Sequence, residues 1–212
     1  KDVLFINMPS AFAAYTGTKV TAFRQVFPLL SFMSLSAVAK HNGFATAVLD
    51  LGIENDPNGE LLRATLRRLH PHIVAITSTT PLFFEVAAVT IVVREELGQD
   101  VTIIYGGPHA TALPIEALRD SEADIVVTGE GEVTFTEILS GRDLSEISGV
   151  YYKRNAEILT TNNRELIKDL DLIPFPDIEL YDISRYKCSR LVSRQAPVAH
   201  METSRGCPSK CS

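Results

Sequence analysis

Cysteine is scarce in this 212-residue sequence, which contains only three. Cys188 lies well apart from Cys207 and Cys211, so the sequence does not supply the several paired thiols of a small, disulfide-stabilised fold. We exclude that class of protein and expect a reducing compartment, the cytoplasm.

Long apolar runs and an excess of positive charge are also missing. No segment approaches the roughly 20 consecutive apolar residues that cross a bilayer, and the N-terminus lacks the pattern of a secretory signal, so we expect no membrane partner. Twenty basic and 26 acidic residues give a net charge of −6, which argues against nucleic acid as a partner. The length and the 45% hydrophobic content suit one domain with an appendage.

Short apolar runs alternate with stretches of helical spacing in the first two thirds of the sequence. This alternation is typical of a parallel sheet with helices on both faces. Five strands are predicted, at Val3–Ile6, Ala45–Leu49, Ile73–Thr77, Val101–Tyr105 and Ile125–Thr128. Helices are predicted at about 28–41, 59–69, 82–97, 113–120 and 132–140. With right-handed crossovers, residues 1–148 are expected to form an α/β domain with a doubly wound, mostly parallel, five-stranded Rossmann-like sheet.

The pattern changes after residue 148. Two short apolar runs flank a polar turn at Arg154-Asn155, which predicts a β-hairpin, so we assign residues 149–168 to a hairpin extension at one sheet edge. Pro174 and Pro176 oppose both helix and central strand, and we assign residues 169–199 to a linker. His200–Thr203 is predicted to be the first strand of a further domain that begins at residue 200.

Small and hydroxyl residues follow the third, fourth and fifth predicted strands. They form the loops Ser78–Pro81, Gly106–Thr111 and Gly129–Glu132. In open α/β sheets a ligand binds beyond the C-terminal ends of the strands. Small residues let the backbone approach such a ligand closely, and hydroxyl and N–H groups can hydrogen-bond to it. We therefore expect the three loops to meet at one edge of the sheet and to bind a ligand.

Each loop also has a purely structural explanation. Ser78–Pro81 is compatible with a helix N-cap followed by proline, and the glycine pair Gly106-Gly107 with a simple turn. Gly129–Glu132 is compatible with acidic residues at a helix N-terminus, and His109 alone with an ordinary loop histidine. The shared edge, more than any single loop, favours a ligand.

The end of the sequence carries a cysteine motif, Thr203-Ser204-Arg205-Gly206-Cys207-Pro208-Ser209-Lys210-Cys211-Ser212. It resembles the Cys-x3-Cys-x2-Cys cluster loop of radical S-adenosylmethionine enzymes. The third cysteine would fall two residues beyond Ser212, so we expect the sequence to be a fragment. Two cysteines at this spacing also occur as a solvent-facing pair or as half of a zinc site. Cys188 has no such context and is expected to be structural.

The resemblance implies a chemistry for this motif. Cys207 and Cys211, with the third cysteine, would hold three irons of a [4Fe–4S] cluster. The fourth iron would bind S-adenosylmethionine, and an external electron donor would drive its cleavage to methionine and a 5′-deoxyadenosyl radical.

Nearly the whole chain resembles the cobalamin-binding domain found upstream of many radical S-adenosylmethionine enzymes. The resemblance depends on Pro28-Leu29-Leu30, the three loops, the proline linker and Thr203–Cys207, in that order. It implies that the corrin ring lies across the C-terminal edge of the sheet. Methionine synthase and the cobalamin mutases carry Asp-x-His-x-x-Gly after the first strand, whereas Asn7–Tyr15 contains no histidine. The lower face of cobalt would then have no ligand from this loop.

The candidate cobalamin contacts follow from the same resemblance. They are Asn7, Met8, Pro9, Ser78, Thr79, Thr80, Gly106, Gly107, Pro108, His109, Thr111, Gly129, Glu130, Gly131 and Glu132.

Two hypotheses about function follow. In the first, the intact protein is a cobalamin-dependent radical S-adenosylmethionine methyltransferase that acts on an unactivated carbon of a small molecule, with an anaerobic oxidative cyclase-like enzyme as its near variant. In the second, the domain is a non-catalytic ligand-binding module that has lost cobalamin. The 212 residues alone are expected to be inactive as an enzyme.

Overall fold

A seven-stranded sheet forms the centre of the structure. The computed structural model describes residues 1–8, 27–54, 56, 58–155, 157–186, 195, 198–199 and 201–206. The strands are β1 (Val3–Asn7), β2 (Thr46–Asp50), β3 (Ile73–Thr77), β4 (Thr102–Gly106), β5 (Ile125–Val127), β6 (Val150–Arg154) and β7 (Glu157–Thr160), in the order β2-β1-β3-β4-β5-β6-β7. The first five are parallel, and β6 and β7 add antiparallel. The strand order reverses between β1 and β3, which places a crevice at their C-terminal ends.

Both faces of the sheet are buried. In β1, Val3 and Phe5 point to one face and Leu4 and Ile6 to the other, and all four are completely buried. A strand covered on both sides reads as a continuous apolar run, which is why the strands were recognisable without an alternating pattern.

Six α-helices in the described part of the chain cover the two faces. They are α1 (Leu30–His41), α2 (Glu60–Leu69), α3 (Phe83–Leu97), α4 (Pro108–Ala112), α5 (Pro114–Arg119) and α6 (Glu132–Leu139). Apolar residues of α2, α3 and α5 pack with Leu4 on one face. Apolar residues of α1 and α6 pack with Phe5 on the other, where the Phe5 ring lies 5.0 Å from that of Phe32 and 6.0 Å from that of Phe135.

A C-terminal segment covers the outside of α1 and β2. We call residues 169–186 the strap. Asp177 accepts hydrogen bonds from Ser36 Oγ (2.6 Å) and pairs with Lys40 Nζ (2.8 Å), which ties the strap to α1. The hydroxyl of Tyr186 donates to Asp50 Oδ2 at the end of β2 (2.6 Å). Because the sheet, α6 and the strap surround it, α1 is buried over most of its circumference.

The predicted α/β class and mostly parallel sheet are confirmed. The five predicted strands and five predicted helices are present, with ends shifted by at most two residues. Helix α4 was missed because its five residues are too few to show a helical period. The hairpin exists, with Asn155 at φ 53° in its turn, and it continues the sheet beyond β5.

One predicted element is wrong. The described part of the predicted strand at His200–Thr203, residues Met201–Thr203, has no strand conformation. A strand needs a neighbour for its backbone hydrogen bonds, and none of the described strands pairs with these residues. The domain boundaries at residues 148, 168 and 199 stay predictions. Within the described ranges, no helix has the length and apolar character to cross a membrane.

Candidate functional site

A cavity of about 520 Å³ opens at the C-terminal edge of the sheet. It lies where β1, β3, β4 and β5 end, next to the reversal of strand order, and α1 and α6 form its outer wall. The lining residues are Asn7, Leu29, Ser31, Phe32, Leu35, Ala75, Ile76, Thr77, Ser78, Thr79, Leu82, Ile104, Gly106, Gly107, Pro108, Val127, Gly129, Gly131, Glu132 and Phe135. The wall is therefore mainly apolar, with several hydroxyl groups and one carboxylate.

Gly107 shapes the floor of the cavity. Its backbone has φ 93°, which favours glycine. A Cβ atom here would overlap Thr77 Oγ1 and lie 3.3 Å from the carbonyl oxygen of Ser78. The loop after β4 thus packs directly on the loop after β3, and only a residue without a side chain allows this contact.

Ser78 and His109 face the buried side of these loops. The hydroxyl groups of Ser78 and Tyr105 are hydrogen-bonded at 2.6 Å. Burial raises the pKa of Tyr105, and the bond to Ser78 partly opposes that rise. His109 is 4% exposed, its Nδ1 lies 3.2 Å from Thr80 Oγ1, and its ring packs on Phe83. Its Nε2 has no partner among the described atoms, and burial lowers its pKa.

The loop Gly129–Glu132, which we call the acidic loop, connects three distant segments. Glu132 Oε1 accepts from Ser34 Oγ of α1 (2.9 Å) and from Arg205 Nη2 (2.6 Å). Glu130 Oε2 accepts from the backbone N–H of Ile167 (2.6 Å). Burial acts to raise the pKa of Glu132, but hydrogen bonds from Arg205, the backbone and Ser34 outweigh it, so the pKa lies below its ordinary value.

Asn7 links the cavity to the strap. Its Nδ2 donates to Asp50 Oδ1 (2.8 Å), and the other oxygen of that carboxylate accepts from Tyr186. The backbone N–H of Gly52 donates to the same Asp50 Oδ1 at 2.8 Å. The amide of Asn7 is therefore held at the cavity wall by groups outside the cavity.

Most of the predicted contact residues meet at this cavity. Nine of them line it: Asn7, Ser78, Thr79, Gly106, Gly107, Pro108, Gly129, Gly131 and Glu132. The structure thus brings the three loops to one edge of the sheet, as expected. That these residues contact a cofactor stays a prediction.

The other predicted contacts lie away from the cavity wall or outside the described residues. Met8 is buried in the core, and Thr111 Oγ1 accepts from the N–H of Gly129 (3.1 Å), which holds the acidic loop in place. Thr80 and His109 contact each other, and Glu130 contacts Ile167. Pro9, Cys207 and Cys211 are not among the described residues.

The purely structural roles considered for the loops, as helix starts and turns, are found in part. Thr79 precedes a short 3₁₀ helix at Thr80–Leu82 with Pro81 in its first turn, but its side chain makes no capping bond. Glu132 lies in the first turn of α6. These roles coexist with the position of the loops around the cavity.

Sequence reasoning missed the wall formed by α1 and α6. Ser31, Leu35 and Phe135 line the cavity from these helices. The exposed Ser31 lies four residues before Leu35, so both are on one side of α1. This spacing was the signal in the sequence for a cavity-lining side of α1. It does not show which side of a mostly buried helix borders the cavity.

A comparison with known proteins identifies a family and several relatives. The family described as B12 binding domain matches residues 19–139. An uncharacterized methyltransferase of Pyrococcus horikoshii is 33% identical over 165 residues, which are 76% of this chain and 35% of the relative. The anaerobic magnesium-protoporphyrin IX monomethyl ester cyclase of Rubrivivax gelatinosus is 27% identical over 187 residues, which are 84% of this chain and 33% of the relative.

A solved structure has the same fold. The radical S-adenosylmethionine methyltransferase TsrM of Kitasatospora setae, with cobalamin and a [4Fe–4S] cluster bound, superposes with a TM-score of 0.58 at 18% identity and covers 81% of this chain and 30% of that one. The chain spans about a third of the length of the curated relatives it matches, at 35% and 33%.

Proposed function

Since this chain belongs to the B12 binding domain family, we propose that it binds cobalamin in the cavity at the C-terminal edge of its sheet. The observation that carries the proposal is the meeting of the glycine loop after β4 and the acidic loop at one cavity beside the reversal of strand order. This is the position at which open α/β sheets bind ligands.

The mainly apolar cavity fits one part of cobalamin, which is larger than the cavity and carries polar amide groups at its edge. The cavity volume of about 520 Å³ lies within the roughly 300–1,000 Å³ of small-molecule sites, so the cavity would take one part of the cofactor and the rest would lie across the edge of the sheet. The backbone of Gly106, Gly107 and Gly131 would approach the cofactor closely, since no side chain intervenes. Asn7 and Thr79 would hydrogen-bond to its polar groups, and the aromatic and aliphatic wall would exclude water from it.

No histidine lines the cavity among the described residues. His109, which follows the glycine pair, is buried against Phe83 with its ring outside the cavity wall. The described protein residues would therefore hold the cofactor by its periphery. Bound cobalamin can carry a methyl group, which is the chemistry that it would supply here.

The whole protein is, by our proposal, a radical S-adenosylmethionine methyltransferase acting on an unactivated carbon of a small molecule. Cys207 and Cys211 would be two ligands of its [4Fe–4S] cluster, with S-adenosylmethionine as cosubstrate and an external electron donor. A methyltransferase among the relatives and the fold shared with TsrM support this assignment. We place the protein in the cytoplasm, in keeping with its low cysteine content.

Cobalamin binding is tested by mixing the chain with hydroxocobalamin, desalting it and measuring corrin absorption. Gly131 has φ −90°, and its Cβ would lie 3.5 Å from Leu35 and 3.9 Å from Val127. Gly131→Leu therefore fills the cavity without backbone strain, and we expect at least a tenfold loss of affinity, which corresponds to about 1.4 kcal/mol. Glu85→Leu adds the same side chain on the exposed side of α3 and should bind like the wild type. A colourless wild-type protein would contradict the proposal.

A ring-forming reaction is the second candidate, because a cyclase is also among the relatives. Product analysis of the full-length enzyme with its substrate separates the two. A product heavier by one methylene unit supports methyl transfer, whereas a product that has lost hydrogen supports oxidative cyclisation. Binding without 5′-deoxyadenosine formation by the full-length, cluster-loaded protein would instead indicate a non-catalytic module.

A further inference from the structure

Arg205 connects the cysteine motif to the wall of the cavity. It lies two residues before Cys207 in the sequence. Its Nη2 donates to Glu132 Oε1 at 2.6 Å, and its Nη1 lies 3.6 Å from Glu130 Oε1. A third carboxylate, Glu202, accepts from Arg205 Nε at 3.3 Å and comes from the same short segment. One guanidinium group thus bridges the segment before the cysteines and the acidic loop.

The contact with Glu132 differs from an ordinary surface ion pair. The side chain of Glu132 is 8% exposed and that of Arg205 is 26% exposed. The same carboxylate oxygen accepts from Ser34, so α1 also holds Glu132 in place. Exposed, mobile pairs contribute little, whereas removing one partner of a largely buried pair leaves a desolvated charge without compensation.

Glu132 is also part of the cavity wall. Arg205 therefore contacts a residue that also lines the cavity. A ligand that fills the cavity removes water near this ion pair, and charges attract each other more strongly where water is excluded.

We propose that Arg205 is a positioning residue that holds the segment before Cys207 against the cavity through Glu132, and that a ligand in the cavity tightens this hold. The tightening by a ligand rests on the proposed cobalamin site, whereas the positioning role of Arg205 does not. By linkage, a ligand that strengthens the Arg205–Glu132 ion pair binds more tightly when that ion pair is formed. The bridge would couple the filling of the cavity to the placement of the cysteine motif.

Native cleavage by trypsin after Arg205 measures this hold directly. Trypsin must take the arginine side chain into its own pocket, so cleavage requires the pair to open and its rate follows the open fraction. Glu132→Gln keeps the shape and the acceptor for Ser34 but removes the charge that faces Arg205. We expect cleavage after Arg205 to become about tenfold faster. Glu202→Gln removes an exposed carboxylate from the same guanidinium and should change the rate by less than about twofold.

Two controls separate local opening from general unfolding. Cleavage after Arg154, in the hairpin, should be equal in all three proteins, and their thermal midpoints should agree closely. Equal cleavage after Arg205 in the wild type and Glu132→Gln would overturn the positioning role. An effect of Glu202→Gln as large as that of Glu132→Gln would also overturn it, because the segment would then be held by its own local contacts.

The ligand arm repeats the digestion with saturating hydroxocobalamin, with occupancy checked by corrin absorption. We expect cleavage after Arg205 to slow at least about fivefold in the wild type and in Glu202→Gln, and to be unaffected in Glu132→Gln. Equal slowing in all three would contradict coupling through Glu132. If the wild type binds no hydroxocobalamin, the proposed function and the coupling both fail, while the ligand-free comparison still decides the positioning role.

Discussion

At the scale of single residues, His109 shows how packing assigns a different role from the one that sequence suggests. It follows the glycine pair after β4, where a ligand contact was expected. The structure buries it between Phe83 and Thr80, with Nε2 lacking a partner among the described atoms. A protonated ring here would bury a charge that Glu116 offsets only in part. The residue therefore makes the fold sensitive to acid.

This burial gives a prediction about pH. Since burial lowers the pKa of His109 from the ordinary value of 6.5, the unfolded chain takes up a proton below about pH 6.5, whereas the folded chain does so only at a lower pH. The free energy of unfolding should therefore fall as the pH drops below 6.5, by at most about 1.4 kcal/mol per pH unit. Urea unfolding between pH 5 and 7.5 measures this slope. In His109→Gln, which keeps a polar group for Thr80, the slope should be smaller.

His72 provides the matched control. Its side chain is 79% exposed, so His72→Gln should leave the slope as in the wild type. If His109→Gln keeps the full slope, another group causes the acid sensitivity.

The glycines of the site were predictable at this scale, whereas the buried side chains around them were not. Gly107 was recognisable because a Gly-Gly pair directly after a predicted strand indicates a tight turn. Met8 and Thr111 were also expected at the ligand. Met8 lies in the core, and Thr111 supports the acidic loop. The direction of a side chain depends on neighbours that are far away in the sequence.

At the scale of elements, the strap is the part that the sequence described least well. Its prolines correctly indicated an absence of helix and strand, and a linker was the natural interpretation. In the structure the strap contacts α1, β2 and the segment after β2 through Asp177, Tyr186 and Arg185, respectively. Such contacts are set by tertiary neighbours, and local composition carries no information about them. The central strands β1, β3, β4 and β5, in contrast, were recognisable because each is buried on both faces.

Asp177 should be the main anchor of the strap. Its side chain is 8% exposed and it accepts from both Ser36 and Lys40. Asp177→Ala would remove the carboxylate from a half-exposed ammonium group and from the hydroxyl of Ser36, which keeps its hydrogen bond with Thr46, so we expect a loss of about 1 to 2 kcal/mol of stability. Chymotrypsin cleavage after Tyr181 should become faster as the strap opens. Denaturant unfolding and native digestion measure the two effects.

Glu179 supplies the control for the strap. It lies two residues away on the exposed side, and Glu179→Ala should change stability by less than about 0.5 kcal/mol. A similar loss in both variants would mean that the carboxylate of Asp177 is not the main anchor of the strap.

At the scale of the whole molecule, the sheet order explains why distant motifs meet. The reversal between β1 and β3 brings the ends of β1, β3, β4 and β5 around one crevice. The segment before Cys207 lies at the same edge, because its Arg205 contacts the two glutamates of the acidic loop. The sequence predicted the meeting of the loops from topology rules. It did not predict the arginine bridge, because that contact joins residues 73 positions apart.

If the folded cavity is the binding site, cobalamin binding should stabilise the whole fold by mass action. With hydroxocobalamin at about 100 times its dissociation constant, the free energy of unfolding should rise by about 2.7 kcal/mol. For a domain of this size the thermal midpoint should rise by about 5 to 10 °C. The rise should grow with the logarithm of ligand concentration, because the unfolded chain has no cavity. Gly131→Leu should fold with a similar midpoint in the absence of ligand and lose the rise, whereas Glu85→Leu should keep it. A full rise in Gly131→Leu would place the binding site elsewhere on the protein.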